Sequence, residues 1–138
     1  MTPTLFGRIQ TRLLLLGTVG AVVTFFYGIL AAILTGTAFG FFIPFILLFL
    51  VATFGIIWDI LYNFAQKFRW DHDWPPAFSF ITAFIEMLPI MFIALLLNVH
   101  PVLFLFHYWT VWWTTFIMAL GPMRVIFPRW RFRGGQWL

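Results

Sequence analysis

Glu86 and His107 are the residues of this chain with acid–base chemistry that stand deep inside long apolar stretches. A charged carboxylate in the middle of a bilayer costs at least about 2.5 kcal/mol, so Glu86 requires a compensating partner or a proton. Three residues on, Pro89 cannot donate to the carbonyl of Ile85, which leaves polar backbone beside the carboxyl and favours a kink. An acid next to a freed carbonyl suits proton or ion passage through an oligomeric, proton-coupled transporter or channel. The plainer reading is a hydrogen-bonded Glu that holds helices together or pairs with a base on a partner subunit, and the lack of an accompanying transport motif favours it. His107 is the expected partner within the chain. At 1.5 Å per residue it lies about 9 Å into its helix and Glu86 about 16 Å from the same end of its own, so a contact requires tilt or a bridging water.

Rings crowd the stretch around His107. Trp109 and Trp113 are four apart and share a helical face, while Trp112 points elsewhere. Such a surface fits a flat hydrophobic ligand such as a quinone, carotenoid or chlorin, but it fits lipid or a partner helix equally well, and those are the preferred readings. No cofactor is expected beyond lipid. A bis-histidine haem needs ligands from two facing helices, and spans one to three contain no histidine. Asp71, His72 and Asp73 are adjacent, and three adjacent side chains rarely converge on one ion, so no metal is expected. With Lys67 and Arg69 they read instead as a mutually neutralising charged cap. The absence of cysteine excludes disulfides, thiolate catalysis and cysteine-held metals. No nucleotide loop, activated nucleophile, catalytic carboxylate pair or nucleic-acid motif is present, so no enzymatic activity and no nucleic-acid partner are expected.

The elements that must position these residues follow from composition. Only 9% of the 138 residues are charged, 63% are hydrophobic, and the mean hydropathy is +1.01. A soluble domain with about 25% charged residues is far from this. The length suits four spans of about 20 residues each and no separate soluble head. The spans are expected over residues 13–35, 39–58, 77–97 and 101–121, with a connector over 59–76 and a basic tail over 122–138, in a single membrane domain. The fold class is an all-α integral membrane protein made of two helical hairpins. Arg8 and Arg12 followed by an apolar run resemble a secretory signal, but the run continues to about Leu34, longer than the usual stretch of about 7–15 residues, and reads as a retained helix.

All eight Lys and Arg residues fall on one side of that four-span arrangement: before the first span, in the connector and after the fourth. The positive-inside rule then puts both termini and the connector in the cytoplasm, which implies a bacterial cytoplasmic or an internal membrane. Lys67, Arg69, Asp71, Asp73, Arg129, Arg131 and Arg133 form the expected docking surface for anionic lipid headgroups or a partner. Trp58, Trp70, Trp74, Trp130 and Trp137 cluster at the same side as an interfacial belt.

Gly20, Thr24, Gly28, Ala32, Gly36 and Gly40 recur every four residues and give a groove where another backbone can approach. Its occupant is the second span, a second copy or another membrane subunit. Four short helices with one intramembrane acid, Glu86, resemble the small multidrug resistance exporters. In that family the essential Glu lies in the first helix, whereas the first helix here has no acid, so the resemblance implies no export activity for this chain. The expected function is a small non-enzymatic integral membrane subunit that anchors or scaffolds a larger complex.

Overall fold

The computed structural model describes residues 2–138, which form helices and turns with no strand among them. Four helices are long and apolar enough to cross a bilayer: Leu5–Thr35, Ala38–Gln66, Pro76–Leu96 and Pro101–Ile126. Large apolar side chains such as Ile33, Phe49, Phe92 and Phe106 point outward from all four. Water would not tolerate such a surface, whereas lipid tails do.

The first long helix consists of α1 (Leu5–Leu15) and α2 (Ala21–Thr35) joined by a π turn over Leu16–Gly20. Thr4 caps its start, its hydroxyl accepting from the Gly7 N–H. In the π turn the Thr18 hydroxyl donates back to the Leu14 carbonyl at 2.6 Å. The extra residue rotates α2 relative to α1, so the two halves can face different neighbours. Gly36, at φ +66, ends the helix in the left-handed conformation that favours glycine. A 3-10 turn over Ala38–Phe42 then leads into α3 (Ile43–Gln66), which has Pro44 in its first turn. Next come α4 (Pro76–Leu96), helical straight through Pro89, and α5 (Pro101–Leu120), with Asn98 at φ +56 in the turn between them. A short α6 (Pro122–Ile126) and a 3-10 turn over Trp130–Arg133 close the chain.

The helices exceed the expected spans at one end of the bundle. The first begins at Leu5 rather than near residue 13, and the second continues to Gln66 rather than stopping at Trp58. Arg8, Arg12 and Asp59 therefore lie within helices, and the connector shortens to residues 67–75. These extensions carry charges that pair between helices, and a paired charge can be held inside a bundle.

The core forms three clusters along the bundle. Leu47, Ile90, Ala94, Val99, Phe104 and Tyr108 fill one end, Leu16, Leu48 and Val111 the middle, and Leu15, Met123 and Trp130 the other end. The small-residue stripe packs within the chain. Gly20 lies against Leu48, Thr24 is fully buried, and a Cβ at Gly28 would meet the Phe41 carbonyl oxygen at 2.8 Å. Gly40 fits against the Ala31 carbonyl, and Ala31, next to the half-buried Ala32, is the fully buried alanine of that turn. Gly36 has open space around it and acts as a turn residue.

The tail folds back onto α1. Thr4 N–H donates to the Gly134 carbonyl at 2.9 Å, Thr11 Oγ1 to the Gly135 carbonyl at 2.8 Å, and Trp130 Nε1 to Thr11 Oγ1 at 2.8 Å. Gly7 has no room for a side chain because Gly134 and Gly135 press against it.

Candidate functional site

The sequence brings three charges together in the bundle. On α3, Gly55, Asp59, Tyr62 and Gln66 are spaced four, three and four apart, so they share the helical face that is buried against α1. On α1, Arg8 and Arg12 are four apart and meet that face. Gly55 has no side chain because the Arg12 stem occupies the space: a Cβ there would come within 2.7 Å of Arg12 Cδ and Cζ. Past that gap, Arg12 Nε donates to Asp59 Oδ2 at 2.8 Å and Nη2 to Asp59 Oδ1 at 2.9 Å. Two parallel bonds of this kind are the strongest arrangement an Arg–carboxylate pair can adopt. Nη1 of the same guanidinium donates to Glu86 Oε2 on α4 at 3.0 Å. One cation thus joins three spans.

Glu86 takes Arg12 as its partner rather than the expected His107. His107, fully buried on α5, pairs its Nε2 with Thr24 Oγ1 on α2 at 2.9 Å and lies edge-on to Tyr27 at 5.3 Å. The difference traces to the helix boundary: once α1 begins at Leu5, Arg12 sits at the level of Glu86 and reaches it with its guanidinium. Nearby, Tyr108 OH donates to the Ala83 carbonyl at 2.7 Å, tying α5 to α4.

A cavity of about 830 Å³ adjoins this cluster, within the range of about 300–1,000 Å³ typical of ligand sites. Its floor holds Arg8, Arg12, Asp59, Tyr62 and Glu86. Trp112, Thr115, Phe116 and Leu120 of α5 form an apolar wall, with Trp112 and Phe116 stacked at 4.6 Å. His107 and Val111 lie at its inner end, and Trp74, Arg124 and Arg131 at the end of the bundle where the connector and tail meet. Arg8 donates Nη2 to Gln66 Oε1 at 2.7 Å and stacks 4.5 Å from the Trp74 ring.

The remaining expected residues divide among several places. Trp112, expected to point away from its neighbours, instead bridges Trp109 and Trp113 edge-on and faces the cavity. Trp109 packs at 4.7 Å on Phe84, and Trp113 is half exposed. In the connector, Arg69 forms a two-pronged pair with Asp71 at 3.1 and 3.0 Å, which holds the Asp71 carboxyl below the usual aspartate range. His72 Nδ1 lies 3.3 Å from the Gln66 carbonyl oxygen, and Asp73 lines the cavity near Trp74. Among the described residues, no three His, Asp or Glu side chains converge on a metal position. Lys67, Arg129, Arg131 and Arg133 are exposed.

Sequence reasoning missed Arg8, Arg12, Gly55, Asp59 and Tyr62 as site residues. The available signal was the heptad-like run from Gly55 to Gln66, polar where a lipid-facing helix would be apolar, opposite two arginines at helical spacing. No protein-family model, curated protein or solved structure matches this chain.

Proposed function

We propose that the chain is a small non-enzymatic subunit of a membrane, two helical hairpins with both termini and the connector on the cytoplasmic side, which anchors or scaffolds a larger membrane complex. The observation that carries this reading is the use of Arg12. Both intramembrane carboxylates, Asp59 and Glu86, are bound by its guanidinium, so the charges that would otherwise carry protons or perform catalysis serve to join three helices. The internal packing of the small-residue stripe and the tail's closure over α1 leave the outer apolar surface and the exposed basic residues as the faces for other subunits and for anionic lipid. The location that fits is a bacterial cytoplasmic or an internal membrane.

A second reading, an oligomeric proton-coupled transporter or channel, is favoured by one observation: the cavity reaches Glu86 and His107. A pigment or quinone accessory role draws on the stacked Trp112 and Phe116 in the same wall.

Purification in mild detergent separates these readings. The scaffold reading expects co-purifying membrane subunits and no proton flux in liposomes, with Glu86→Gln weakening the association. A proton flux abolished by Glu86→Gln would overturn it. A coloured or quinone-containing preparation supports the accessory role instead.

A further inference from the structure

One hydrogen-bonding group in the cavity wall, Arg8 Nε, is shielded from solvent with no partner among the described residues, and the Tyr62 hydroxyl, beside Glu86 and Thr82, makes no hydrogen bond of normal geometry. Burying such groups unpaired costs free energy, and the cost falls when an occupant supplies the missing acceptor. Arg8 uses one amino group on Gln66 and forms no ion pair among the described residues. Arg124 and Arg131, which also line the cavity, form none either. Its carboxylates are all engaged: Asp59 and Glu86 by Arg12, and Asp73 by a contact of its own. The unused capacity of the site is therefore donor groups and positive charge, the complement of an anion.

The rest of the wall specifies what the anion is attached to. Trp112, Phe116, Ala119 and Leu120 form a continuous apolar face that runs from the basic end towards Val111 and Leu16 in the middle of the bundle. A free inorganic anion leaves that face bare, whereas a hydrocarbon chain covers it. The basic groups and Trp74 lie at the end of the bundle where an interfacial headgroup sits, and basic pockets between spans are where anionic lipid headgroups bind.

We infer that the cavity is a binding site for one anionic phospholipid, its phosphate oxygens accepting from Arg8 Nε–H and the Tyr62 hydroxyl, and an acyl chain lying along Trp112, Phe116 and Leu120. Arg124 and Arg131 flank the headgroup from the tail side.

The test is native mass spectrometry of the full chain, delipidated in mild detergent and then offered phosphatidylglycerol, phosphatidylcholine or inorganic phosphate. The expected result is one phosphatidylglycerol retained per chain, at least tenfold more than phosphatidylcholine, and not displaced by millimolar phosphate. Tyr62→Phe removes one donor while leaving the hydrogen bonds of Arg12 to Asp59 and Glu86 in place, and is expected to lower retention about tenfold. Arg8→Gln lowers it further, and Gly17→Ala, outside the cavity lining and in open space, leaves it unchanged. Should Arg8→Gln fail to fold by circular dichroism, Tyr62→Phe decides alone. Equal retention of the two lipids, displacement by phosphate alone, or full retention by folded Tyr62→Phe each overturns the assignment.

Discussion

Arg12 and Asp59, 47 positions apart in the sequence, meet through two parallel hydrogen bonds of 2.8 and 2.9 Å with the Asp59 side chain only 5% exposed. A buried pair of this kind adds little net stability over apolar residues of similar size, yet removing one member leaves an uncompensated buried charge. Arg12→Leu, which leaves the Asp59 and Glu86 carboxylates buried without their counter-charge, is therefore expected to destabilise the fold by about 3–5 kcal/mol. Replacing Arg12, Asp59 and Glu86 together by leucine is expected to cost less than that single change. Denaturant titration in detergent micelles gives both values, and a triple variant weaker than Arg12→Leu contradicts the argument.

Gly28 and Gly17 make a matched pair. A methyl group at Gly28 would meet the Phe41 carbonyl oxygen at 2.8 Å and its ring at 2.9 Å, whereas Gly17 has nothing within 4 Å. Gly28→Ala is expected to cost about 1–3 kcal/mol through overpacking. Gly17→Ala is expected to be neutral or to gain up to about 1 kcal/mol from helix propensity. Thermal unfolding of the two variants side by side checks the contrast.

Thr24 and His107 tie the first span to the last. Thr24→Val keeps the shape of the side chain but leaves a buried ring nitrogen without its partner, at an expected cost of about 1–3 kcal/mol. Thr24→Ser is expected to restore most of that stability, which distinguishes a lost hydrogen bond from a packing defect.

The connector has its own pH dependence. Because Arg69 lowers the pKa of Asp71, the pair's contribution is fully present above the ordinary aspartate range of about pH 4 and is lost as pH falls through the lowered folded value. Arg69→Gln is expected to return the Asp71 titration upward, towards that ordinary range, in an NMR titration. An unchanged midpoint would show that the pairing is absent in solution.

Much of the architecture was legible because hydrocarbon imposes a coarse rule: long apolar runs separated by turn residues such as Gly36, Asn98 and Pro101. The helix ends near Arg12 and Asp59 were not legible, because a charge marks the end of a span only when it is alone. Whether Arg12 is alone depends on Asp59 and Glu86, 47 and 74 residues away, and no local pattern records that. The stripe from Gly20 to Gly40 showed that something approaches closely but not what does. Phe41 and Leu48 of the next helix proved to be among its neighbours. Glu86 stands out as an anomaly in the sequence, and its explanation lies in Arg12, which the four-span reading puts before the first span.

The same distances set the order in which the protein can be made. Arg12 leaves the ribosome 47 residues ahead of Asp59 and 74 ahead of Glu86, so the first helix enters the membrane carrying a charge that nothing yet answers. The pairing becomes possible only once the second and third helices have been made. The seam between Thr4 and Gly134 closes only once Gly134 has been made, 130 residues after Thr4, so a late stretch of the chain fastens an early one in place.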